Sequence, residues 1–360
     1  MRLARNLSAA TLLAALLVLP LGGTGISARA QVPGSATNQT TEHGIDLYRQ
    51  GDLAGAVKVL DAITQKHPND SEAWYYLGLA YYREGYISSA GSAFAHLIEL
   101  RPNSADAHAK LAYALILGNQ PQQAMATAQR ALELGDQSAE AHYAIAEASL
   151  VAGYYHSVIA RNMGGVSTVA PIPAGAPNPD TAEFKRAVDE AEAALRINPN
   201  FAVALITKSF AHRNLKQYPE AIASLERFLA ISPDDLDAQT WREQLEQWRG
   251  GAPQPEAKSP GAATQVFSGR DVTQKVRVLS KPEPQYAEAA RRAGVTGTVV
   301  LRTVFSSTGE IRNIVVTRAL GYGLTTQAVN AARKIRFTPA TKDGRPVSMY
   351  MQLEYNFNLY

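Results

Sequence analysis

The chain of 360 residues contains no cysteine, which excludes disulfide bridges and thiolate metal sites. It also lacks an apolar run of the roughly 20 residues that a membrane-spanning helix needs. The longest apolar stretch, Leu7 to Leu19, follows Arg2 and Arg5 and is closed by Pro20, and Ala28-Arg29-Ala30 places small residues ahead of Gln31. That is the layout of a secretory signal. Residues 1–30 are therefore expected to be a cleaved signal peptide, with a retained N-terminal anchor as the alternative, and the protein is expected to be exported. Motifs of catalysis are missing too: there is no nucleophile elbow, phosphate loop, dinucleotide fingerprint or zinc-protease helix. His108 and His142 are 34 residues apart, which puts them on neighbouring helix pairs about 10 Å apart. An ion held at about 2 Å cannot be shared over that gap. No catalytic residue, metal site, cofactor or enzyme activity is expected. No aromatic-and-basic recognition motif appears, so nucleic acid is not an expected partner.

Charge is present but unevenly placed. Residues 270–360 carry fourteen Lys and Arg against six acids, and residues 31–269 carry eighteen basic residues against 26 acids. The two parts are thus +8 and −8, an asymmetry that bears on partners and on contact between them rather than on fold. An intramolecular contact between acidic front and basic back is expected.

The front is periodic. HPNDSEAW (67–74) returns as RPNSADAH (101–108), so Pro68 and Pro102 are 34 apart; NPNFAVAL (198–205) and SPDD (232–235) place Pro199 and Pro233 at the same spacing. Each unit reads as two amphipathic helices with proline at the junction. The unit Trp74, Leu77, Gly78, Tyr81, Ala90, Phe94, Pro102 has small residues where two helices cross and large ones between them. This spacing resembles the tetratricopeptide repeat. Weaker copies lie on both sides, and one is interrupted between Ser149 and Ala187 by a Gly/Pro-rich insert, GGVSTVAPIPAGAPNPD. An α-solenoid over residues 38–249 is expected, with an inserted loop at about 161–180 and a solvating end helix from Leu236 to Trp248. By register with the Trp74 unit, its concave side carries Tyr48, Tyr75, Tyr82, Tyr113, Tyr143 and Phe210, with Glu72, Asp106, Glu140 and Glu147 among them. Such a groove suits an extended peptide with apolar and basic side chains. The alternative is that the rings pack between helices and the acids solvate the surface.

Residues 250–268 form a Pro/Ala/Gly-rich linker, and the pattern then changes. PQYAEAARRAG (284–294) reads as a short helix stopped by Gly294, GTVVLRTVF (297–305) and EIRNIVVTRAL (310–320) as a hairpin, and LTTQAVNAARKI (324–335) as a second helix. After a bend and turn in FTPATKDGRPV (337–347), the end of the chain alternates. Val347, Met349, Met351, Leu353, Tyr355, Phe357 and Leu359 fall on one side, polar residues on the other, which marks a long strand with one buried face. A small α+β domain over 269–360 is expected: a three-stranded antiparallel sheet, helices on one face, one edge free.

KPEPQYAEAARRAGVTGTVVL, the STGEI turn, GLTTQAV, FTPA, DGRPV and the final YNF resemble the C-terminal domain of the TonB family of energy transducers. The resemblance implies that a short segment of a TonB-dependent outer-membrane receptor pairs with the edge of the last strand. Here that edge is Leu353, Glu354, Tyr355, Asn356, Phe357 and Asn358. It also implies a receptor-contacting loop, matched by Glu283, Pro284, Gln285 and Tyr286, where Glu283 and Ala287 depart from the family's Gln-Pro-x-Tyr-Pro. Two functions follow as expectations. One is a periplasmic scaffold, its repeats holding a peptide or protein and its C-terminal domain holding a partner by strand addition. The other is a transducer for outer-membrane transport, anchored in the inner membrane through its N-terminus.

Overall fold

A computed structural model describes residues 40–162, 179–250 and 265–359. The expected signal or anchor, residues 163–178 of the insert and residues 251–264 of the linker lie outside them.

Five helix pairs follow one another as the 34-residue period requires: α1 (Thr41–Gln50) with α2 (Leu53–Lys66), α3 (Ser71–Glu84) with α4 (Ile87–Leu100), α5 (Ala105–Leu117) with α6 (Pro121–Glu133), α7 (Ala139–Asn162) with α8 (Pro179–Ile197), and α9 (Ala202–Asn214) with α10 (Tyr218–Ile231). A last helix, α11 (Ala238–Arg249), closes the row. Asp70 starts α3 by accepting the backbone N–H groups of Glu72 and Ala73 at 3.1 and 3.0 Å, two donors the helix cannot satisfy itself. Gly78 is where α3 and α4 cross: a Cβ there would sit 2.8 Å from the Phe94 ring.

The junction prolines share a device that the period alone does not reveal. Each of their carbonyls accepts a side-chain N–H: Pro68 from Trp74 (2.8 Å), Pro102 from His108 (2.9 Å), Pro199 from Arg227 (2.6 Å) and Pro233 from Arg242 (2.6 Å). His108 therefore does the work of Trp74 in its unit, tying the turn to the following helix. Around the insert, α7 and α8 grow to 24 and 19 residues where α3 and α4 have 14 each.

The C-terminal part runs β1 (Val266–Phe267), β2 (Arg277–Ser280), α12 (Glu288–Ala293), β3 (Gly297–Phe305), β4 (Ile311–Arg318), α13 (Leu324–Ala332), β5 (Arg336–Thr338), β6 (Ala340–Lys342) and β7 (Arg345–Phe357). The expected three antiparallel strands are its centre, in the order β7-β3-β4, but the sheet is larger. Two-residue β1, inside the stretch expected to be linker, pairs in parallel with Ser348 and Met349 of β7, and β6 pairs with residues 345–347. A separate ribbon joins β2 to β5. These four strands are two to four residues long, too short to show the alternation by which a strand is read. Asp343 and Gly344, both at positive φ (50° and 78°), make the tight turn between β6 and β7, in the conformation Asp-Gly favours.

The odd residues of β7 face α12 and α13 as expected. Leu353, Tyr355 and Phe357 are buried with Val299 and Leu301 of β3, Ala290 of α12 and Ala328 of α13. That core is continuous with the repeats. Trp241, Leu245 and Trp248 of α11 belong to the same cluster, so α11 is not the solvating cap expected. Its i, i+4, i+7 stripe is buried, both Trp rings meet Phe210 edge-on at 5.8 and 6.2 Å, and the helix also meets α13 and β4.

Candidate functional site

Two candidate sites emerge, and one of them is already filled. Tyr82 of α3, Tyr113 of α5 and Tyr143 of α7 form a ladder of rings with centroids 5.8 and 5.7 Å apart, and Phe201 joins Tyr143 at 5.5 Å. The occupant of this hollow is Tyr322, from the loop between β4 and α13. Its hydroxyl lies close to that of Tyr113, and each phenol affects the other's ionisation. Tyr322 holds a left-handed backbone (φ 61°) between Gly321 and Gly323, which lets a large side chain project from a tight loop. Burial, then neighbouring phenols and carboxylates, pushes the Tyr82, Tyr113 and Tyr143 hydroxyls above their usual range. They are neutral hydrogen-bonding groups at any ordinary pH.

The remaining groove candidates are dispersed. Phe210 packs with the α11 tryptophans. Tyr48 and Tyr75 flank Tyr76 at 5.5 and 5.4 Å near the first helix pair. Burial, then the charge of Asp106, pushes Tyr75 up to about 12. Glu72 is exposed in the first turn of α3. Asp106 and Glu140 are neutralised by Lys110, at 3.2 and 3.7 Å, a residue absent from the sequence-based groove. Lys110 also lies 5.2 Å from the centre of the Tyr82 ring.

Backbone hydrogen bonds complete the docking. The N-cap of α13 is Gly323, with no capping side chain of its own, and Asp237 supplies one from the repeats. Its two oxygens accept from Gly323 N–H (2.9 Å) and Thr326 N–H (2.8 Å). Gln244 Oε1 accepts from Val316 N–H of β4 (2.7 Å), Leu117 C=O from Thr296 N–H (2.9 Å), and Asn119 Oδ1 from Arg318 (3.0 Å). Arg333 and Glu243 form an ion pair across the same face. The expected contact between acidic and basic parts exists, but neutral and backbone groups carry most of it. Burial raises Asp237 to about 6 despite these N–H donors.

The second site is the long strand. β3 pairs with β7 from Met349 to Phe357. The Glu354 carbonyl accepts Lys281 Nζ at 2.7 Å, whereas Met351 C=O accepts Thr303 Oγ1 of β3. Backbone groups alternate along a strand, so Tyr350, Gln352, Glu354 and Asn356 turn theirs away from β3. On that side β6 and β1 cover residues 345–349 only. From Tyr350 onward no strand pairs with the outer edge among the described residues. The six edge residues read from sequence thus divide in two. Glu354 and Asn356 offer backbone groups outward; Leu353, Tyr355 and Phe357 spend theirs on β3. Asn358 follows the strand and is exposed. Gln352 and Tyr350 belong to the edge and were missed by the resemblance.

The loop Glu283–Tyr286 lies beside this edge. Tyr286 meets Phe357 edge-on at 5.7 Å and donates to Val295 C=O, while Arg291 sits over its other face at 5.0 Å. Lys281 lies 4.5 Å from the Tyr355 ring. Burial, then the charge of Glu283, raises Tyr355 to about 12. Its hydroxyl is buried without a hydrogen-bond partner among the described residues. Glu283 and Gln285 are exposed and Pro284 is half-buried. No cluster of His, Asp and Glu that could hold a metal occurs among the described residues.

A row of helix pairs with a small sheet domain seated in its hollow defines a protein-interaction architecture. Residues 41–105 match the family described as tetratricopeptide repeat, and residues 282–359 the family described as Gram-negative bacterial TonB protein C-terminal. The chain therefore combines a tetratricopeptide-repeat region with a TonB C-terminal domain. No curated protein matches it. Among solved structures it is similar to PilW, a type IV pilus biogenesis factor (16% identity, 59% of this chain and 85% of that one, TM-score 0.42). It is also similar to YrrB, described as having an unusual peptide-binding site (17%, 57% and 94%, 0.38), and to MamA (22%, 55% and 92%, 0.36).

Proposed function

We propose that this protein is a scaffold of the Gram-negative periplasm that captures an extended segment of a partner protein on the outer edge of β7. The repeats act as the frame that holds the C-terminal domain by its opposite edge. The carrying observation is the open run Tyr350–Asn356 in a sheet whose β4 side is occupied by Gln244. Added strands gain affinity from backbone pairing and selectivity from alternate side chains. A receptor segment of the outer membrane fits this chemistry, and the match to the TonB C-terminal family supports it. Tyr48, Tyr75 and Glu72, whose ring and capping contacts are within the repeats, are the part of the solenoid left for a second partner. The test is photocrosslinking from Gln352 and Asn356 in the native envelope. Adducts at both positions that vanish on Glu354→Pro support edge capture; adducts indifferent to that change sink it.

The family match also favours an energy transducer that pulls on the captured segment, which requires an N-terminal anchor. No helix among the described residues is long and apolar enough to cross a membrane, and residues 1–30 lie outside them. The intact mass of protein recovered from its envelope separates the two. A chain starting at Gln31 is a soluble adaptor, and one starting at Met1 makes transduction the leading reading.

A further inference from the structure

Between the repeats and the C-terminal domain lies a cavity of about 240 Å³. An engineered cavity of about 150 Å³ is enough to hold benzene, so this one has room for a ring and a short chain. Cavities at such junctions, apolar with a few convergent polar groups, are the usual place for a small ligand. Neither strand addition nor the docking contacts make use of it.

Its walls come from both parts of the chain. Tyr143, Phe210 and Trp241 contribute aromatic surface from the repeats and Tyr322 from the C-terminal domain, with Leu150 and Ile206 filling between them. Three carboxyl groups, Glu147, Asp235 and Asp237, line it with one arginine, Arg318. Asp237 is committed to the N-terminus of α13. Glu147 is not: one oxygen accepts from Thr207 Oγ1 at 2.6 Å, and the other has no hydrogen-bond partner among the described residues. An excess of carboxylates combined with ring faces, whose quadrupoles are negative, attracts a cation and disfavours an anion. Burial raises the Glu147 pKa against the opposing pull of Thr207 and of the Arg318 charge, and a further cation seated beside it would relieve the cost that remains.

We propose that this cavity binds a small organic cation, with an ammonium group set against Glu147 and an apolar body about one ring in size packed among Tyr143, Phe210, Trp241 and Tyr322. Because its walls belong to both parts, the bound ligand also tightens the docking of the C-terminal domain, by simple linkage.

The test is calorimetric titration of the full chain at neutral pH with 2-phenylethylamine and its neutral isostere 2-phenylethanol. The amine is expected to bind saturably and about tenfold tighter than the alcohol, as for one charge-assisted contact. Glu147→Gln should remove that advantage and leave the alcohol unchanged. Ile206→Trp, which fills the cavity, should abolish both; if it does not melt cooperatively, Leu150→Phe serves the same purpose. Equal affinity for amine and alcohol would overturn the cationic ligand. Absence of saturable binding, or binding that survives the filled cavity, would overturn the site.

Discussion

The two sides of the C-terminal sheet meet the same problem in different ways. Along β4, the Val316 N–H that a neighbouring strand would take is given to Gln244, 72 residues earlier in the chain. Along the outer side of β7, the groups from Tyr350 to Asn356 meet no strand, and the Glu354 carbonyl is met by one lysine. An unpaired edge invites pairing with other chains. Covering one edge and leaving the other restricts where a partner strand can add. Docking on the repeats is thus compatible with the proposed partner capture, because it uses the edge that such capture would leave free.

Proline substitution should break this contrast most sharply. Leu353→Pro places a ring where an N–H is bonded to β3 and empties a core position, so the C-terminal domain should lose about 3 kcal/mol or more. Glu354→Pro, one residue on, removes an outward N–H. It should shift the melting midpoint little while eliminating edge capture. Equal destabilisation by both would refute the assigned direction of the backbone groups.

Tyr322→Ala withdraws the plug from the aromatic ladder and should cost about 3 kcal/mol, read as lost hydrogen-exchange protection in α13. Asp237→Ala removes the borrowed cap and leaves two N–H groups unmatched, for a loss of about 1–3 kcal/mol. A chain indifferent to both substitutions would mean that the docked arrangement is not the one in solution.

Acidity sharpens the picture further. The Asp237 carboxyl rises from 3.8 to about 6 on folding, so the folded state holds the proton more tightly than the unfolded chain. Its contribution is fully present below about pH 4 and is lost as pH rises through 6. Asp235 and Glu147 shift the same way. Denaturant melts should therefore show docking strengthening from pH 7.5 to 5, by about 1.4 kcal/mol for Asp237. Asp237→Asn should flatten much of that slope. The smallest effect belongs to salt. With Arg333–Glu243 the one ion pair recorded between the two parts among the described residues, and exposed pairs worth about 0–1 kcal/mol, Glu243→Gln should barely move the melt.

The solenoid was legible because repetition leaves a trace in the sequence: Pro68, Pro102, Pro199 and Pro233 mark the turns, and Gly78 opposite Phe94 marks a crossing. β3 was legible to the residue as an apolar, β-branched run closed by a turn, and β7 nearly so from its alternation. The docking was legible only as a charge asymmetry, which is a weak part of it. Gln244 and Asp237 look like solvating residues of a terminal helix until their partners, backbone N–H groups at least 72 residues away, are in place. Tyr322 sits in ALGYGL, where neither period nor alternation separates a plug from a turn. A surface that fits another surface has no repeat length.

The junction between β1 and β7 has a mechanical meaning. A partner strand bound to β7 and drawn away along its own axis would load the sheet in shear, with the nine residue pairs from β3 to β7 resisting together. The two β1 pairs belong to the segment that leads back toward the repeats, so tension through the chain reaches them first. The contacts of Asp237, Gln244 and Tyr322 form a second route by which the same force reaches the solenoid, bypassing the linker. Optical-tweezer extension with handles on β7 and α1 would resolve these routes as separate rips. A single rip at linker length would show that the docking surface carries no load.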